Sequence, residues 1–174
     1  GANGGDSSMV LAYLQARAAI GGIEADLLLI NCGLHDIKTD PATGAKQVSI
    51  EQYAQNLQGI VALVRNMTPT LVWIRTTPCD EAVHNHEGMA FHRFAADGQA
   101  YNAVADGIMR AHGVPVIDLY TFTRNLQLLP SEQATQQPEE LYCDHVHFHD
   151  AVRRQQAAFI AGWLAGFTPT QSEG

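Results

Sequence analysis

Positive charge is what this sequence has least of. Lys and Arg total 10 against 18 Asp and Glu, a formal net charge of −8, and the cations form no run or stripe. Such a surface repels phosphate backbones and anionic headgroups, so nucleic acid is excluded as an expected partner. Long apolar runs are missing as well. No stretch approaches the ~20 residues that a membrane-spanning helix needs, so no membrane span is expected. Cysteine is scarce and odd in number: Cys32, Cys79 and Cys143 lie far apart. Neither a disulfide framework nor a Cys-x-x-Cys metal knuckle can be read from them, and the redox compartment stays open. The opening GANGGDSS is glycine-rich and polar, unlike a signal peptide, and no apolar strand precedes the first helical pattern. What remains is ordinary globular composition, 46% hydrophobic and 16% charged, in 174 residues. A chain of that size suits one core. The expected division is a single domain over residues 1–165 and a frayed polar tail over 166–174.

Three short apolar segments read as buried strands: residues 25–31 (ADLLLIN), 70–76 (TLVWIRT) and 114–118 (VPVID). Each follows a segment of helical periodicity. Asp6 or Ser7 can cap a first helix running to about Ile20. Ser49 with Gln52 has the form of a capping box, after which Tyr53, Leu57, Ile60, Val61 and Val64 recur at helical spacing. A third helix is expected from near Asp97, burying Tyr101, Val104, Ala105 and Ile108 and stopping at Gly113, where a left-handed cap suits glycine. The last, residues 150–165, should present Val152, Phe159, Ile160, Trp163 and Leu164 to a sheet. Strands alternating with helices of this length define an α/β fold, a doubly wound parallel sheet in a three-layer α/β/α arrangement. Residues 78–96 and 121–143 read as long irregular segments of the kind that shape a site. Ligands of such folds lie beyond the carboxyl ends of the strands, here residues 32–38, 76–80 and 118–121.

Three blocks near those ends carry chemistry. Gly4-Gly5-Asp6-Ser7-Ser8 opens the first helix, ADLLLIN runs into Cys32-Gly33-Leu34-His35-Asp36, and Asp144-His145-Val146-His147 leads into the last helix. At a helix N-terminus Gly5 can present a backbone N–H where the peptide dipoles favour negative charge, which is oxyanion-hole chemistry. Asp144 can accept the Nδ1 hydrogen of His147 and leave Nε2 as a general base. In order and context the blocks resemble those of the SGNH (GDSL-like) serine hydrolases: a Gly-Asp-Ser/Thr turn opening a helix, Gly-x-Asn-Asp after a strand, and Asp-x-x-His near the end. The resemblance runs from Gly4 to Leu164. It implies a flavodoxin-like fold and ester hydrolysis through an acyl-enzyme, with no cofactor. It also implies His147 and Asp144 as catalytic residues, Gly5 and His35 as the oxyanion hole, and Gly33, Asp36 and Thr77 lining the site. His35 stands where the family has asparagine, and a neutral imidazole can donate one N–H in its place provided its other nitrogen is held as acceptor and the tautomer is fixed. The GLHD block, Thr76-Thr77-Pro78 and Asp-x-Val-His look like those of bacterial members found beside carbohydrate enzymes. A small ester or acetylated carbohydrate is the implied substrate.

The nucleophile is where the pattern breaks. In the family the first block sets its serine after a hydrophobic strand, whereas only GANG precedes Gly5 here. One helix and its turn separate Gly5 from Leu27, the spacing of the family's second block. Ser7 is accordingly read as a helix-capping residue, with the nucleophile as the alternative. The resemblance then implies that the family's first strands, including the central one, are absent. A separate polypeptide, a proteolytic clip or an incomplete sequence would explain that, and a missing N-terminal segment or second chain completing the sheet is the expected partner. Blander readings stand beside these. Asp144 and His147 can be a helix-capping pair, Gly33 can serve only its turn, and His35 can pack or cap its loop with Asp36 as partner. Cys32 and Cys79 can be small buried hydrophobes. Eight histidines include His84-x-His86 and His145-x-His147-x-His149, which raises a metal-dependent hydrolase. But alternate residues diverge at a helix start, and no second carboxylate cluster completes a shell, so no metal is expected and the first pair reads as solvated loop. A catalytically inactive fragment or binding module is the third class.

Overall fold

The three apolar runs form one parallel sheet in the order β1-β2-β3: β1 (Leu27–Ile30), β2 (Thr70–Ile74) and β3 (Val116–Ile117). Leu27 lies opposite Thr70 and Trp73 opposite Val116. The structure, a computed structural model, describes residues 4–67, 70–127, 141–144 and 146–168. In β2, Leu71, Val72 and Trp73 are all buried, which is why that strand reads as a continuous apolar run and not as an alternation. The strands are shorter than their runs. β3 stops at Ile117 because Asp118 takes the Thr121 N–H at 3.0 Å and turns the chain into a helix.

Helices fill the connections. α1 (Ser7–Ala19) has Asp6, not Ser7, as its N-cap, with the side chain accepting from the Met9 N–H at 3.0 Å. α2 (Ile50–Arg65) is capped by Ser49, which accepts from the Gln52 N–H at 3.2 Å. The returning half of that capping box does not form, because the Gln52 amide donates to Asn56 instead, at 2.9 Å. α3 (Glu81–His84) is a single turn, α4 (Ala95–Ala111) starts two residues before Asp97, and α5 (Leu119–Gln127) follows β3. α3 and α5 thus occupy parts of the two segments expected to be irregular, and residues 128–140 of the second lie outside the described residues. α6 (Asp150–Ala165) closes the described chain.

α2 supplies the centre of the core. Tyr53, Leu57, Ile60, Val61 and Val64 are essentially inaccessible and meet Val10 and Leu14 of α1, Tyr101, Ala105 and Met109 of α4, and Ile30, Leu71 and Trp73 of the sheet. Each such side chain contributes about 1.5–3 kcal/mol through burial. α6 does not take the place expected for it against the sheet. It packs on α5, with Phe122 and Phe159 stacked at 4.4 Å and Gln156 donating to Thr123 at 3.0 Å. Among the described residues β1 is an edge strand, and an apolar groove of about 310 Å³ runs along it, lined by Val10, Tyr13, Ile23, Leu28 and Leu29.

Candidate active site

The carboxyl end of β1, the amino end of α1 and the turn before α6 meet around a cleft of about 580 Å³. The loop after β1 makes one wall. Gly33 has φ +148°, and a Cβ there would stand 2.6 Å from the Thr76 hydroxyl, so close approach of β1 and β2 requires glycine. That hydroxyl donates to the Cys32 carbonyl at 2.8 Å, as does the Tyr53 hydroxyl at 3.1 Å. From the far side Arg93 Nε donates to the Leu34 carbonyl at 2.7 Å. The pinned loop sets His35, half-buried, on the cleft wall. Among the described residues its ring nitrogens meet no hydrogen-bond partner. Burial, then the Lys38 and Arg93 cations, hold its pKa below the ordinary histidine value. The ring is therefore neutral at neutral pH, with one nitrogen a donor.

The start of α1 makes the second wall. Gly5 has φ +71°, and a Cβ would lie 2.6 Å from the Met9 sulfur. Behind it Asp36, fully buried, accepts from the Ser7 N–H at 3.0 and 3.1 Å and from the Ser7 hydroxyl. Asn56 donates to the same hydroxyl at 2.9 Å, and Gln47 ties down Asp6 at 2.7 Å. Two carboxylates thus complement the positive end of the helix dipole. Burial pushes the Asp36 carboxyl up, and its bonds from Ser7 oppose that.

The third wall is a stapled turn. Tyr142 and Phe148 bridge antiparallel with rings 4.8 Å apart, and the Cys143 N–H reaches the His147 carbonyl at 2.8 Å. The Tyr142 hydroxyl donates to Pro78 at 3.3 Å, anchoring the turn to the loop after β2. Inside it, one Asp144 oxygen accepts from the Val146 and His147 N–H groups at 2.7 and 2.8 Å, and the other lies 2.6 Å from His147 Nδ1. Partial burial works against ionisation of Asp144, but the bonds from His147 and Val146 hold its carboxyl well below the usual range. With Nδ1 engaged, His147 keeps Nε2 for proton transfer, and the residue lines the same cleft as Gly5, Gly33 and His35.

A model of the GDSL-like Lipase/Acylhydrolase family matches residues 1–154. The chain belongs to that family. No curated protein matches the sequence. Among solved structures it is similar to a lipase/acylhydrolase from Enterococcus faecalis, with TM-score 0.70, 20% identity, and coverage of 97% of this chain and 75% of that one. It is also similar to the acetyl xylan esterase AlAXEase, with TM-score 0.66, 14% identity and coverage of 96% and 79%. A third is Axe2, an acetylxylan esterase from Geobacillus stearothermophilus, with TM-score 0.64, 19% identity and coverage of 91% and 68%. These likenesses share a fold, the α/β arrangement of a parallel sheet with helices.

Within this GDSL-like chain the structure brings Asp144, His147, Gly5, His35 and Gly33 together and sets the other residues singled out from the sequence elsewhere. Ser7 is fully buried in the first turn of α1, its hydroxyl committed to Asp36 and Asn56, and it does not reach the cleft. Asp36 lies beneath the cleft and holds α1; it neither lines the site nor partners His35. Thr77 lines a separate small pocket with Pro78 and Tyr120. His84 is not solvated loop: it is fully buried, edge-on to Phe91 at 5.1 Å, while His86 is exposed. His145 lies outside the described residues, and among these no three His, Cys, Asp or Glu side chains converge on a point. Among the described residues no serine lines the cleft. Lys38, Phe91 and Arg93 do. They fall in the segments 32–38 and 78–96 that the sequence marked for a site, but sequence reasoning gave none of the three a role, because nothing local distinguishes their side chains from their neighbours'.

Proposed function

We propose that this chain supplies the general base, its orienting carboxylate and the oxyanion donors of an ester hydrolase acting through an acyl-enzyme on small acetylated carbohydrates. The observation that carries the reading is the Asp144–His147 pair, bonded at 2.6 Å and sharing one cleft with Gly5 and His35. A serine hydroxyl attacks the ester carbonyl while His147 Nε2 takes its proton. The oxyanion forms between the Gly5 backbone and the His35 ring. His147 returns the proton to the departing alcohol and then deprotonates the water that releases the acid, with Asp144 ionised throughout and stabilising the imidazolium. Cys32 does not act as nucleophile: burial, then Asp36 and Asp6, pushes its thiol well above the usual range, and the thiolate is the attacking form.

In this reading the serine belongs to a strand added in parallel to β1, at the edge that is unpaired among the described residues, and comes from a preceding segment or a second chain. Gly4 and Asn31 border both the edge groove and the cleft, so a strand parallel to β1 would end at the cleft. Likeness to two acetylxylan esterases supports the substrate class. The test compares hydrolysis of 4-nitrophenyl acetate by the 174-residue chain alone and by the chain completed with the strand-bearing segment. Turnover is expected only on completion, and His147→Ala should reduce it to about 10³–10⁴ over water, the level left when a triad member is removed. Robust turnover by the chain alone, abolished in Ser7→Ala, would overturn the placement of the nucleophile. An inert completed protein would leave a binding module, the reading favoured by the lack of a serine in the described cleft.

A further inference from the structure

The cleft holds two cations that its proton-transfer chemistry does not use. Arg93 is only 4% exposed, its guanidinium 4.8 Å from the Phe91 ring centroid, its Nη1 3.4 Å from His84 Nε2. Lys38 sets its ammonium 4.7 Å from the same ring. Both line the cleft beside His35 and His147. Among the described residues neither has an ion-pair partner, whereas Lys46, Arg75 and Arg153 each meet an aspartate. The chain carries 18 acidic side chains to 10 cationic ones, so carboxylates are not in short supply. Asp144 is near enough to act on Arg93 through its field, yet its oxygens are committed to the His147 turn. Keeping a guanidinium out of water without a counter-charge costs free energy that an arriving anion recovers. A guanidinium fork also matches the two oxygens of a carboxylate in a way that a neutral hydroxyl does not.

We infer that Lys38 and Arg93, braced on Phe91, form a subsite for a carboxylate carried by the substrate, so that the preferred ester is one borne by an acidic sugar. This rests on reading the cleft as an ester site. Arg93 also steadies the loop through Leu34, but the Lys38 side chain has no such bond, so Lys38 separates recognition from scaffolding. The test is equilibrium binding by calorimetry, at low ionic strength, of mono-O-acetylated methyl glucuronoside and mono-O-acetylated methyl glucoside to the whole chain. The uronoside should bind roughly tenfold more tightly, the worth of one charge-assisted hydrogen bond. The preference should vanish in Lys38→Gln, reverse in Lys38→Glu, and shrink as salt is added. Equal affinity, no binding of either sugar, or a preference unchanged in both Lys38 variants would overturn the subsite. Binding needs no nucleophile, so an inert completed enzyme would sink the esterase reading while leaving this preference standing, and the converse holds.

Discussion

Asp36 and Ser7 look from the sequence like members of a site, yet each is spent on the other. The carboxylate satisfies two donors at the first turn of α1, and Asn56 completes the shell around the Ser7 hydroxyl. Asp36→Ala leaves those donors buried and unpaired, which should cost about 1–3 kcal/mol in urea unfolding at constant m-value. Ser7→Ala should also lower stability, by about 1 kcal/mol, while the completed enzyme keeps its kcat. A loss of turnover with unchanged stability would instead restore Ser7 as nucleophile. His35 is the contrasting case, a half-buried ring on the cleft wall. In the completed enzyme His35→Ala should lower kcat by about 10² to 10³ with little change in KM, the signature of a lost oxyanion donor. His35→Asn should recover much of that, and wild-type turnover in His35→Ala would end the role.

At the scale of elements, the site depends on how closely β1 and β2 approach where they deliver their loops. Gly33 permits this, because a side chain there meets Thr76 at 2.6 Å in a backbone region that L-residues avoid. Gly33→Ala should cost about 1–3 kcal/mol by thermal or urea unfolding, and it should impair activity by displacing His35; a neutral effect would mean the loop relaxes freely. Ser49 was legible as a cap, whereas at α1 the sequence offered Asp6 or Ser7 and the reading of Ser7 as the capping residue gives way to Asp6. Asp6 and Ser49 do their work through contacts within three residues, the range that local spacing controls. The missing half of the capping box and the docking of α6 on α5 were not legible. The Gln52 amide prefers Asn56, and Phe159 finds Phe122, in competitions decided by neighbours on other turns.

For the whole molecule, two groups of the site bear on its stability at acid pH. His35 has a folded pKa below its unfolded value of ~6.5. In the window just below ~6.5 the unfolded chain binds more protons than the folded one, so stability rises with pH there and falls on acidification. Asp144 is likewise depressed, and its contribution, present above ~3.9, is lost as pH falls below it. Asp36, whose pKa is raised, works in the opposite sense in the carboxylate range, where it loses stability as pH rises. The melting temperature should therefore drop as pH is lowered through ~6.5. His35→Ala should flatten that limb; an unchanged slope would show that His35 does not titrate low.

The sequence by itself determined the three strands and the helices α1, α2, α4 and α6 in their order, since apolar runs and helical periodicity are properties of short stretches, but not α3 and α5, which lie in segments that read as irregular. It also determined the Asp144–His147 contact, because three residues in one turn leave few dihedrals to vary. It did not determine which side chains share the cleft. Asp36 reaches Ser7 across 29 positions and Arg93 reaches Leu34 across 59. Only the closing of the α1–α2–α4 core around the sheet brings such partners together. That closure depends on the summed packing of side chains drawn from the whole chain, so Asp36 was drawn beneath the site, Arg93 into it, and β1, among the described residues, to the edge of the sheet.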